Sequence, residues 1–155
     1  MKIKVLDPYD KQALSLLDQS DELMASLYPA ESNHLEGPEV LKKPNVLFVG
    51  AYIGDELAGC GAVKILSDDN GPYGEIKRVF LSPKYRRKGF SIEIMNYLEN
   101  HLQKSGVWIS RLEMGAKQPE ALGLYKKFGY TECGPFGAYC EDPLSLFMEK
   151  KLGTH

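Results

Sequence analysis

Apolar and polar positions along this chain repeat with two periods, and the switches between them mark its elements. Residues 2–6 (KIKVL) alternate and predict a first strand. From Asp10 to Leu27 the apolar positions Ala13, Leu14, Leu16, Leu17, Met24 and Leu27 are close to helical spacing, and Pro29 stops the run. Residues 29–43 are irregular, with a short helix expected from Pro38 to Lys43. Val46–Ile53 and Glu56–Leu66 read as strands joined by the Gly54-Asp55 turn, giving a hairpin. The turn formers of 67–72 (SDDNGP) separate them from a third strand, Tyr73–Leu81, of one antiparallel meander. Pro83 ends it.

The period then returns to helical from Gly89 to Gln103, with Ile92, Met95, Leu98 and Leu102 on one face, and Gly106 closes the helix. Val107–Met114 predicts a strand, and Pro119–Phe128 a short helix with proline in its first turn. A brief strand over 131–133, a loop rich in Gly and Pro, and a last strand, Leu144–Leu152, complete the order β α (α) β β β α β α β β. Without an internal repeat or a linker, this predicts one α/β domain over residues 1–155 with a mixed sheet.

Composition narrows the partners. Charged residues are 26% and apolar ones 43% of 155 residues, which is ordinary for a globular domain, and the net charge is -2. That balance gives no general attraction to nucleic acid or to a membrane surface. The start, MKIKVLDPYD, has no apolar signal region, and no run reaches the ~18 apolar residues of a membrane span. The expected location is the cytoplasm. Cys60, Cys133 and Cys140 form no CxxC pair and share no ligand spacing with His34, His101 or His155, so neither a metal site nor a disulfide framework is expected.

Against this acidic background one stretch stands out. Six of the twelve residues from Lys77 to Lys88 are Lys or Arg, and no acidic residue lies between Ile76 and Ile92. The run ends in Gly89 at the mouth of the predicted helix. A helix N-terminus presents free N–H groups and the positive end of the helix dipole. Adding Arg86, Arg87 and Lys88 makes it a candidate cradle for a phosphorylated ligand. Neither GxxxxGK[ST] nor GxGxxG is present, so the turn is not one of the common nucleotide loops.

Residues 76–91, IKRVFLSPKYRRKGFS, are similar to motif A of the GCN5-related N-acetyltransferase (GNAT) superfamily, (Q/R)xxGx(G/A). Arg86 and Gly89 match it, Ser91 replaces the usual small residue, and Arg87 stands where many members have glycine. Residues 120–130, EALGLYKKFGY, resemble a second family segment, ALxLYxKxGF. The resemblance covers nearly the whole chain. It implies a mixed, mostly antiparallel sheet of about seven strands flanked by about four helices, with acetyl-CoA as co-substrate.

It further implies that Arg86, Arg87, Lys88, Gly89, Phe90 and Ser91 hold the pyrophosphate. The backbone of Val79, Phe80 and Leu81 would pair with the pantetheine arm as an added strand. Tyr125 would protonate the departing thiolate, which suits a phenol of ordinary pKa near 10 beside a thiol near 8.5. Glu75, four residues before Val79 and on the same face by simple alternation, would be the general base. The acceptor, a small-molecule or protein amine, is expected between the segment of Tyr28, Glu31 and His34 and the loop of Tyr139, where acidic and aromatic side chains suit a cation. The end of the chain also resembles a group of small bacterial N-acetyltransferases, and homodimers are common in the family. Two other functions fit parts of the pattern: a non-catalytic acyl-CoA-binding module, and a nucleic-acid-binding domain using the basic strip.

Overall fold

The computed structural model describes residues 1–33 and 35–153. Seven strands, β1 (Lys2–Val5), β2 (Val46–Ile53), β3 (Glu56–Asp68), β4 (Gly71–Leu81), β5 (Ile109–Gly115), β6 (Thr131–Cys133) and β7 (Ser145–Lys151), form one sheet in the order β1-β2-β3-β4-β5-β7-β6. Only the β4–β5 pairing is parallel. The helices are α1 (Lys11–Leu27), α2 (Pro38–Leu41), α3 (Phe90–Lys104) and α4 (Pro119–Lys127), so the expected mixed α/β architecture is the one observed.

The helices divide between the two faces. On one, Ala13, Leu16 and Leu17 of α1 and Leu41 of α2 pack on Phe48, Cys60, Ala62 and Phe80. On the other, Ile94, Met95, Leu98 and Leu102 of α3 pack on Val49, Val63, Ile76 and Leu112, with α4 alongside. Burying each of those four α3 side chains contributes about 1.5–3 kcal/mol. Strand β2 feeds both clusters, which is why VLFVGAYI is continuously apolar and does not alternate. Gly61 lets α3 approach closely, because a Cβ there would lie 2.7 Å from Ile94 Cγ2.

Four expectations are corrected. The loop over 67–72 shrinks to Asp69-Asn70, because β3 runs on to Asp68 and β4 starts at Gly71. The buried face of α3 is completed by Ile94, fully buried, while Ile92 is only partly so. Val107 precedes β5, its N–H closing the end of α3 on the Leu102 carbonyl. Lastly, Glu75, Lys77, Val79 and Leu81 do not share one face. Cys60 pairs with Phe80 but Ala62 pairs with Lys77, so Arg78 and Val79 together oppose Gly61. This bulge, with Arg78 at φ 57, resets the alternation. Ile76, Val79 and Leu81 therefore face α3.

Candidate active site

Strands β4 and β5 pair only where Gly74–Ile76 meet Ser110–Leu112. Beyond that point β4 bulges and β5 stays with β7 as far as Gly115, so the two strands separate. The opening is a cavity of ≈ 150 Å³ between Ile76–Phe80 and Leu112–Gly115, with Tyr28 and Tyr125 also on its wall. Val79, Phe80 and Leu81 turn their side chains into the cores, which leaves backbone as the free edge of β4 along the opening.

That edge leads to the basic turn. After a 3₁₀ turn, Pro83–Tyr85, Arg86 Nε donates to the Leu81 carbonyl at 3.2 Å and its guanidinium covers the Phe80 ring at 5.2 Å. Arg87 and Gly89 both lie in the left-handed region, at φ 63 and 83. No side chain caps α3, which begins at Phe90 with Gly89 as its N-cap, so its first N–H groups stay open. Phe90 anchors the turn against Tyr85 and the α3 core, and Ser91 is partly buried. Arg87 and Lys88 are exposed, Arg87 reaching Glu120 at 2.8 Å. An uncapped helix start, left-handed residues before it and three cations fit a pyrophosphate.

Tyr125 sits on α4, partly buried, its ring 5.9 Å from Tyr130. Burial pushes its phenol up to about 12, which keeps it protonated at neutral pH. Beneath it, Tyr130 Oη donates to Glu99 at 2.8 Å and shares a hydrogen bond with Ser110, while Lys150 Nζ donates to Glu99 at 2.8 Å. Tyr28 crosses from the end of α1 to β5. Its hydroxyl accepts from the Lys117 N–H at 3.0 Å and donates to Gln118 Oε1 at 3.4 Å. Gly115 is needed there, since a Cβ would overlap that hydroxyl.

A second, larger cavity of ≈ 860 Å³ adjoins the first across Asn33 and Leu35, which line both. The structure places Glu75, Glu31 and Tyr139 here, apart from Tyr125. Glu75 is buried; it accepts from the Tyr139 hydroxyl and lies 3.6 Å from Lys77 Nζ. Lys77 Nζ in turn donates to Tyr139 at 2.7 Å. His34, expected beside them, falls outside the described residues. Pattern reading missed Glu113, the carboxylate that lines the opening together with Tyr125. Its place follows from the strand register: Glu113 comes directly after Leu112, the last β5 residue paired with β4, where the two strands part.

The model of the Acetyltransferase (GNAT) family matches residues 13–130. The chain belongs to the GNAT family. It is 39% identical over 145 residues to an IAA acetyltransferase of Azospirillum brasilense, covering 94% of each chain. It is 40% identical over 154 residues to the uncharacterized N-acetyltransferase YsnE of Bacillus subtilis, covering 98% of this chain and 100% of that one. Among solved structures, a Klebsiella pneumoniae protein described as an acyl-CoA N-acyltransferase superposes with a TM-score of 0.80 at 29% identity, covering 98% of this chain and 97% of the other. The PaiA N-acetyltransferase of Thermoplasma acidophilum, solved in complex with coenzyme A, shares the fold at a TM-score of 0.74 and 20% identity, covering 97% and 98%.

As a GNAT member the chain is an acetyl-CoA-dependent acyltransferase. Among the described residues no helix is long and apolar enough to cross a membrane, and no group of His, Cys, Asp and Glu could hold a metal ion.

Proposed function

We propose that this GNAT protein transfers the acetyl group of acetyl-CoA to a primary amine by direct attack in a ternary complex. Acetyl-CoA supplies the acetyl group as an activated thioester. Arg86, Arg87, Lys88, Gly89, Phe90 and Ser91 hold its pyrophosphate, and the backbone of Val79, Phe80 and Leu81 holds its arm along the open edge of β4. A C–N bond forms and the C–S bond breaks, so one proton leaves the amine and one goes to sulfur. Tyr125, kept protonated by burial, gives the second.

The observation that carries this proposal is the cavity shared by Tyr125 and Glu113 where β4 and β5 separate. It supports Glu113 as the group that takes the amine proton. Glu75, the base implied by the family resemblance, then holds Tyr139 and Lys77 on the acceptor side. Release of CoA measured across a panel of amines tests the reaction. Glu113→Gln is expected to lower kcat by about 10²-fold or more while KM for acetyl-CoA stays close to wild type. Glu75→Gln is expected to act mainly on KM for the acceptor. Wild-type kcat in Glu113→Gln with a large loss in Glu75→Gln returns the base role to Glu75. No CoA release with any amine favours a non-catalytic acyl-CoA-binding module.

A further inference from the structure

Helix α4 carries Tyr125, yet along its length little holds it to the rest of the molecule. None of its residues is fully buried, and Ala121, Leu122 and Tyr125 are only partly covered where they meet the α3 core. Its ion pair to the basic turn, Arg87–Glu120, joins two exposed side chains, and a pair in solvent holds a helix weakly. Firmer anchors lie at its two ends. Ahead of the first turn, Tyr28 binds the Lys117 N–H and Gln118. Past the last turn, the Tyr130 N–H donates to the Tyr125 carbonyl at 2.9 Å, and the two rings meet edge to face at 5.9 Å.

The anchor at Tyr130 is polar and lies inside the core, where Tyr130, Glu99 and Ser110 are all buried. Tyr130 gives its one hydroxyl proton to Glu99, so it accepts from Ser110 Oγ at 2.7 Å. Lys150 Nζ balances the carboxylate at 2.8 Å and lies 4.0 Å from the centre of the Phe128 ring. Glu99 belongs to α3, Ser110 to β5 and Lys150 to β7, so three elements fix one hydroxyl. Apolar side chains of similar size would serve stability as well as this buried ion pair does. What the hydrogen bonds add is direction. Tyr130 also stands where the family segment ends in phenylalanine, so the network lies outside that motif. We infer that Tyr130, held by Glu99, Ser110 and Lys150, is a positioning residue that sets where the Tyr125 hydroxyl stands at the transfer site. This rests on the proposed role of Tyr125 as the acid.

Tyr130→Phe removes only the hydroxyl and keeps both the ring and the backbone bond to Tyr125. CoA release is measured with the amine turned over fastest in the panel above, and rates are taken per acetyl-CoA-binding site, so that unfolded protein does not count. The expected result is a kcat about tenfold lower, with KM for acetyl-CoA and for the amine close to wild type. Glu99→Met leaves the hydroxyl without its acceptor and gives the same loss. Glu99→Gln still accepts from it and restores most of the rate. In a Tyr125→Phe background, Tyr130→Phe has no further effect. Wild-type kcat in Tyr130→Phe, equal losses in Glu99→Gln and Glu99→Met, or the same loss with and without the Tyr125 phenol each overturns the inference while leaving Tyr125 as the acid. Wild-type kcat in Tyr125→Phe overturns both.

Discussion

Cys60 and Arg78 show how single residues on the central strands are set by what surrounds them. Cys60 is 1% exposed, its thiol donating to the Arg78 carbonyl at 3.3 Å. Burial raises its pKa from 9.0 to about 12. The unfolded thiol therefore loses its proton first, and the stability this group contributes is complete below pH 9 and lost as pH climbs to 12. The expected outcome is a melting temperature that falls steeply above pH 9, with a shallower fall in Cys60→Ala, read by thermal unfolding across pH 7–11. Arg78 has a side chain 2% exposed and bonded to Asp21 at 2.7 Å and to the Leu17 carbonyl. It ties α1 to the bulge that opens the site. Tyr125→Phe removes the phenol without removing the ring, and kcat should drop by roughly 10²-fold or more with KM for acetyl-CoA little changed.

At the scale of elements, the turn before α3 holds two residues in the left-handed region, and they differ in what they cost. Gly89 takes φ 83 freely, and a Cβ there would meet nothing within 4 Å, so Gly89→Ala costs backbone strain alone, about 1–2 kcal/mol. The turn relaxes to escape it, and KM for acetyl-CoA should rise severalfold. Arg87 at φ 63 already bears such strain. Arg87→Gly is expected to raise the melting temperature slightly, by about 0.5–1 kcal/mol of stability, and to weaken acetyl-CoA binding. A variant that binds acetyl-CoA as tightly as wild type would remove Arg87 from the cradle. Across the opening, Gly115→Ala should displace Tyr28 from Lys117 and Gln118, with acceptor turnover lost before cofactor affinity.

For the whole molecule, one sheet with two cores is held open along the line where β4 leaves β5. Neither half of that sheet closes the gap by its own hydrogen bonds, so a ligand that fills it ties the halves together. Coenzyme A at 100 times its Kd should stabilise the fold by about 2.7 kcal/mol. Hydrogen exchange should show that protection concentrated at Val79–Leu81 and the first turn of α3. Exchange slowed uniformly over the chain, or only at remote surface, would argue against that binding line. The element order and the basic turn before α3 were legible in the sequence because each depends on local period or on a short motif. Glu113 was not, since its place at the opening comes from the pairing of Ile76 with Leu112, more than thirty residues apart in the chain.

Taken alone, the chain determined its elements, its α/β layer arrangement and the basic turn before α3, because helix and strand periods, turn residues and the RxxGxS spacing act over a few neighbours. Only the tertiary structure decided which carboxylate shares a cavity with Tyr125. The inserted residue at Arg78–Val79 resets the side-chain alternation of β4, so Glu75 lines the second cavity while Val79 faces α3, and the parting of β5 brings Glu113 to the opening. A bulge exists only between paired strands, so it has no signature in the order of residues along either one.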